Sequence, residues 1–397
     1  MEELNVIGRN ESLFKKDILD NRSYFKNEIS SSSFLVIGGA GTIGQAVVKE
    51  IFKFDPKKLH VVDISENNLV ELVRDIRSTM GYGSGEFEIF AIDCGGSGFE
   101  KMFTNLGGYD YIFNLSALKH VRSEKDPYTL LRMIEVNILN TLKTVNFAKN
   151  SKTKKYFSVS TDKAANPANI MGASKKIMEM FLMRESKELP ISMARFANVA
   201  FSDGSLLHGF RQRLIKNQPI SAPKDIKRYF ISPEESGQLC LFSALQGENR
   251  DIYFPKLDEK IHLQKFSDIA DRFLQLNGYE VIECNSEDEA RAKVDDFKKD
   301  KKWPCYFFES DTTGEKPFEE FYTNSEILDL EKYCEIGIIK NEILPSEKDL
   351  NEFLSEIDKV FSSKNPTKDE ILNIVFSILP SFKETYISTG KNLNQRM

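Results

Sequence analysis

From residue 34 onward, short apolar or β-branched runs alternate with amphipathic stretches. FLVIGG (34–39), LHVVD (59–63), FEIFAID (87–93), DYIFNLS (110–116), KYFSVS (155–160) and ISMARFA (191–197) read as strands, and most intervals between them are long enough for crossover helices. That rhythm predicts an α/β fold: a Rossmann-type doubly wound parallel sheet with helices on both faces. Beyond about residue 200 the rhythm loosens into loops and helices, as expected of a smaller substrate-binding part that closes over the sheet. NSEDEARAKVDDFKKDKK reads as a solvated helix opened by Ser286 and Glu289. Ser346 with Asp349, and Thr367 with Glu370, signal two further helices. Their apolar stripes, Leu350, Phe353, Leu354, Ile357, Val360 and Phe361, then Ile371, Ile374, Val375, Ile378 and Leu379, require a partner surface in this chain or in a second copy. The expected organisation is a helical extension over 1–33, a dinucleotide-binding domain over 34–200, a mixed substrate-binding region over 201–335 and a helical extension over 336–397.

Composition narrows the class. A chain of 397 residues with 41% hydrophobic content can bury a sizeable core. The formal charge of -6 and isoelectric point near 5.6 argue against nucleic acid or an anionic membrane as partner. Five scattered Cys without a Cys-x-x-Cys pair, and four scattered His, suggest neither a disulfide framework nor a metal site. No signal-peptide core is apparent and no apolar run approaches the roughly 20 residues of a membrane helix, so a soluble, cytoplasmic protein is expected.

Chemistry first shows at the end of the first strand. In VIGGAGTIG, Gly38, Gly41, Thr42, Ile43 and Gly44 form a glycine-rich turn opening a helix, where free N–H groups and the helix dipole favour a pyrophosphate. Asp63 closes the second strand at the position of a carboxylate that bonds adenosine ribose hydroxyls. No Arg follows it to hold a 2'-phosphate, so NAD is expected over NADP. Asp93, closing the third strand, is a candidate for the adenine amino group and equally for an ordinary loop cap.

The motifs GGAGTIG, NLSALKHV, STDKAANPANIMGASK, RFANVAFSDGS, KRYFISPEE and TGEKPFEEF together resemble the extended short-chain dehydrogenase/reductase superfamily over roughly residues 5–335. Within it the chain is similar to nucleotide-sugar 4,6-dehydratases of the configuration-retaining type that act on UDP-GlcNAc. Most of the wider superfamily carries a Tyr four residues before the Lys; here Met171 precedes Lys175. The resemblance implies that this subgroup works without the phenol: NAD takes hydride from carbon 4 of the sugar, water leaves across carbons 5 and 6, and the hydride returns to carbon 6. Bacterial polysaccharide, glycan or nonulosonic-acid-type sugar synthesis is the implied setting.

Ketone formation at carbon 4 acidifies the carbon 5 proton, so a base is needed there and an acid at carbon 6. Lys163 is the candidate base and Asp162 the candidate acid. Thr161 would orient the carbon 4 oxygen, Lys175 would hold the nicotinamide ribose, and Met171 would shape the floor. Thr-Asp-Lys ending a strand is also plain turn chemistry, and a helical Met is most often core filler. Substrate contacts are expected from Lys119, His120, Asn198, Arg228 and Glu315, although Thr312 and Thr313 stand where an Arg-Pro often precedes Gly-Glu-Lys. A sugar 4-epimerase, a configuration-inverting dehydratase and a non-catalytic NAD- or sugar-nucleotide-binding protein are the alternatives, and a homo-oligomer is one possible assembly.

Overall fold

The computed structural model describes residues 2–119, 124, 126–310, 316–341 and 344–386. Six strands fall where the apolar runs predict them: β1 (Ser33–Ile37), β2 (Lys58–Asp63), β3 (Glu86–Ala91), β4 (Tyr111–Asn114), β5 (Lys155–Thr161) and β6 (Ile191–Phe196). The later region is richer in strands than the sequence suggests, with β7 (Asn198–Val199), β8 (Ile220–Pro223), β9 (Lys227–Ile231), β10 (Ile252–Pro255), β11 (Leu263–Lys265), β12 (Glu280–Glu283), β13 (Lys302–Phe308), β14 (Ile327–Asp329) and β15 (Ile336–Lys340). Most of these are too short for a periodic signal to stand out from a loop.

The main sheet has nine strands in the order β14-β15-β10-β6-β5-β4-β1-β2-β3. β10, β6, β5, β4, β1, β2 and β3 run parallel, while β15 is antiparallel to β10 and β14 to β15. Strand order reverses between β1 and β4, and the crevice at such a switch point is where ligands of doubly wound sheets bind. Two small sheets, β11-β9-β7 and β12-β13-β8, lie outside it. They share a second apolar cluster that includes Val6, Ile7, Phe210, Phe230, Phe273 and the fully buried Trp303. Arg9 clamps both oxygens of Glu235 at 2.6 Å, tying the N-terminal segment to the helix that follows β9.

The charged stretch after Ser286 forms two short helices, Glu287–Ala292 and Val294–Lys299. The break falls at Lys293 (φ -100°, ψ 0°), which belongs to neither helix. The two C-terminal stripes find their partner in this chain. Helix Glu347–Ser362 packs on helix Ile170–Glu185, where Phe353 and Phe181 stand 5.9 Å apart between ring centroids, and helix Lys368–Ile378 packs on helix Pro127–Ile134. Phe361 is the exception, being exposed. No helix among the described residues is long and apolar enough to cross a membrane.

Candidate active site

The crevice at the switch point has two ends. At the first, Gly38, Gly41, Asp63, Ile64, Asp93, Cys94, Ser116, Arg132 and Asn140 are among the residues lining a cavity of about 230 Å³. Gly38 is left-handed (φ 74°), and a Cβ there would stand 2.6 Å from the backbone N of Ser116. Gly44 is equally constrained, because its Cβ would run into the Gly38 carbonyl. The glycines thus let β1, the turn and helix Thr42–Phe52 approach one another closely, and Gly41 caps that helix without a side chain, leaving N–H groups for an anion. Thr42 Oγ1 accepts from the Asp203 N–H at 3.0 Å, and Ile43 lies half-buried against the core.

Asp63 accepts from the Ala40 N–H through Oδ2 and the Ser65 N–H through Oδ1, both at 2.9 Å, so it braces the glycine turn while facing the cavity. Asp93 caps its own turn through Gly95 N at 2.8 Å and pairs with Arg132 at 3.0 Å. Arg132 is itself shared with Glu135 at 2.8 Å, which sets this cavity arginine against two carboxylates. Glycine turn, helix N-terminus and acidic β2 end fit an adenine dinucleotide.

The second end is built where β5 runs into the short 3₁₀ turn Asp162–Ala164. Buried Asp162 receives three donors on Oδ1: the Thr161 hydroxyl and Lys163 N–H at 2.8 Å, and Lys163 Nζ at 3.0 Å. Three donors thus converge on one oxygen of the side chain. Helix Ile170–Glu185, capped by Asn169 on Gly172 N at 2.8 Å, packs on this turn. It carries Met171 and Lys175, both buried. Lys175 Nζ reaches Met178 Sδ at 3.3 Å, and burial brings its pKa down to about 8 against the opposing charge of Glu179.

The substrate candidates divide. Asn198 on β7 and Arg228 on β9 lie on neighbouring strands, Asn198 paired with Phe230. Asn198 Nδ2 is buried without a hydrogen-bond partner among the described residues, a donor suited to a polar ligand. Buried Arg228 donates to the Lys316 and Pro317 carbonyls at 2.9 and 3.3 Å and faces Glu319 at 4.0 Å. Lys119 is exposed, yet surrounding protein lowers its pKa while Asp203 raises it. His120 and Glu315 lie outside the described residues.

The sequence pattern of the family described as "Polysaccharide biosynthesis protein" matches residues 34–340. The chain belongs to that family. Its fold is that of the extended short-chain dehydrogenase/reductases. Among similar proteins, the probable polysaccharide biosynthesis protein EpsC of Bacillus subtilis is 27% identical over 284 residues, covering 70% of this chain and 46% of EpsC. The chain therefore spans less than half the length of that relative. Pen from Bacillus thuringiensis superimposes with a TM-score of 0.63 at 20% identity, covering 83% of this chain and 98% of Pen. WbmF from Bordetella bronchiseptica, solved in complex with NAD+ and UDP, gives 0.52 at 19% identity over 63% of this chain and 79% of WbmF.

In this member of the polysaccharide biosynthesis family, several residues at the second end of the crevice escape a sequence reading. Asn137, in a π-helical turn (Glu135–Leu139), bonds both backbone groups of Leu118 at 2.9 and 3.1 Å and Ser174 Oγ at 2.9 Å, locking the segment before Lys119 to the Met171 helix. Glu124 is buried: Oε1 accepts from the Met171 N–H at 3.2 Å and Oε2 has no partner among the described residues. Burial pushes its pKa up to about 7, against the Met171 and Ile170 N–H groups and Lys368. Arg195, fully buried, is gripped by Glu179 at 2.8 and 2.9 Å and Glu326 at 2.9 and 3.0 Å. Glu319 stands in the quoted TGEKPFEEF, where two acids after an aromatic were the available signal.

Proposed function

We propose that the chain is an NAD-dependent 4,6-dehydratase acting on a nucleotide-activated N-acetylglucosamine, most simply UDP-GlcNAc, with configuration retained at carbon 5. One observation carries the reading: Thr161, Asp162 and Lys163 form a hydrogen-bonded triplet at the C-terminal end of β5, against the helix that presents Met171 and Lys175. The glycine turn and Asp63 support a dinucleotide at the other end of the crevice, as does WbmF, a structural neighbour solved with NAD+ and UDP. When bound, NAD supplies the oxidant for carbon 4 and returns the same hydride to carbon 6.

The chain's residues do the rest. Lys175, a buried cation with a sulfur as its neighbour, holds the nicotinamide ribose and favours a developing alkoxide at carbon 4. Thr161 orients the carbon 4 oxygen. Lys163 takes the carbon 5 proton, and Asp162, 3.0 Å from its ammonium, gives a proton to the hydroxyl that leaves carbon 6 as water. Met171 carries no proton and fills the floor. The orphaned amide of Asn198 and the neighbouring Arg228 receive the diphosphate.

Proton NMR of UDP-GlcNAc incubated with the protein in deuterated water tests this. A carbon 6 methyl signal, loss of the carbon 4 proton and unchanged ring geometry at carbon 5 are expected. A 4-epimer without a methyl would sink the dehydratase, and inverted geometry would sink only the argument from Met171.

A further inference from the structure

Arg132 lines the dinucleotide cavity but is committed to two carboxylates, so it is not a free cation for a phosphate. Ile64, Ile92 and Val136 give the same cavity apolar walls suited to a planar base, and Asp93 stands beside them. Asp93 is held at both oxygens: Oδ1 accepts from the Gly95 N–H at 2.8 Å and Oδ2 from Arg132 Nη2 at 3.0 Å. Arg132 is held in turn, because its Nη1 donates to Glu135 Oε2 at 2.8 Å. The turn beneath is equally fixed. Lys143 donates to the Gly95 carbonyl at 2.7 Å, and Gly95 lies so close to Asn140 that a Cβ would stand 2.5 Å from its Oδ1. Arg132, Glu135, Asn140 and Lys143 all come from the helical stretch that begins at Pro127, so one element frames Asp93. A carboxylate has about four lone-pair positions, and these two donors leave acceptor capacity on each oxygen.

We propose that Arg132 is a positioning residue that makes the cavity selective for a 6-amino purine, by holding Asp93 with a lone pair open to the amino group of adenine. The assignment rests on the reading of Asp93 as the adenine contact. Adenine presents an N6–H donor on that edge, whereas hypoxanthine presents a carbonyl oxygen there. Set against a carboxylate, the amino group makes a charge-assisted hydrogen bond, and the carbonyl meets an oxygen of like sign. The planar fork of Arg132 spans Asp93 and Glu135, so it fixes the direction of the Asp93 carboxylate as well as balancing its charge. Without that fork Asp93 keeps the Gly95 N–H bond and is free to turn away from the base.

The test equilibrates the purified protein with an equimolar excess of NAD and nicotinamide hypoxanthine dinucleotide until the bound ratio is constant, then denatures it and measures which dinucleotides were retained. The wild type should retain mainly NAD. Arg132→Met, at a half-buried position, should lower the ratio of NAD to analogue about 10-fold, with the loss coming from NAD alone. Glu135→Gln loosens Arg132 without removing it and should shift the ratio the same way by less, so it carries the comparison if the Met variant does not fold. Asp93→Asn adds an amide donor and should move the preference toward the analogue. An unchanged ratio in Arg132→Met would overturn the assignment, as would equal loss of both dinucleotides, which marks a structural role. A wild type that retains the two dinucleotides alike, or a preference for NAD that survives Asp93→Asn, would instead overturn the reading of Asp93 as the adenine contact, and the assignment with it.

Discussion

The two ends of the crevice are built on opposite principles. At the dinucleotide end the groups are close in sequence and already satisfied: Asp63 braces the turn that ends at Gly44, and Asp93 is shared between Gly95 and Arg132. At the reacting end the groups come from residues 124, 161–163, 175, 228 and 319, and several are buried charges with displaced pKa values. A binding site can be assembled from stable local geometry. A proton-transfer site requires desolvated groups in tension with one another, and the surrounding fold must hold them there.

The sharpest way to separate the ends is Lys163→Met. Keto-sugar formation should fall about 10²- to 10⁴-fold while NAD retained by the purified protein stays at the wild-type level; loss of NAD as well would mean that the ends are not independent. Arg195→Met should cost about 3–5 kcal/mol in denaturant titration, because buried Glu179 and half-buried Glu326 would lose the cation they share. Glu179 shows the dependence: burial alone would raise its pKa, and Arg195 brings it to about 2.

Glu124 gives a signature in pH. Its folded pKa of about 7 lies above the ordinary 4.5, so the folded state binds more protons in between and stability falls as pH rises through that window. Glu124→Gln should remove that slope and be more stable at pH 8 by on the order of 3 kcal/mol; an unchanged thermal profile would show that Glu124 is not held in this state.

At the dinucleotide end, Gly38→Ala should cost about 1–2 kcal/mol through the left-handed backbone, with further crowding at Ser116 N, and should lower NAD retention. The smallest effect should come from Lys187→Ala. Its exposed pair with Glu347 fastens a C-terminal helix, and losing it should leave the denaturant midpoint close to that of the wild type.

The same contrast explains what could be read in advance. Five of the six runs were legible as strands because a parallel strand covered on both faces is a continuous apolar run, whereas β3, at the sheet edge, showed instead by its alternation. The glycine turn was legible because its chemistry is local. β10, β14 and β15 complete the main sheet with short segments whose apolar character alone does not distinguish them from loop. Glu124 and Glu319 were illegible as a pair of buried acids, since nothing in SEKDP or PFEEF distinguishes them from solvated carboxylates. Their surroundings are set by residues distant in the chain, Met171 and Lys368 for Glu124 and Lys163 and Arg228 for Glu319.

The helix that carries Met171 and Lys175 is covered by Phe353 and its neighbours, which follow Phe181 by roughly 170 residues of chain. At a synthesis rate of about 5–20 residues per second, the helix waits on the order of 10–30 s on the ribosome before its outer apolar face can be covered. The reacting end is therefore completed late in the life of the nascent chain, well after the dinucleotide end, and for that interval its exposed helix is the surface that a chaperone or a neighbouring nascent chain would meet first.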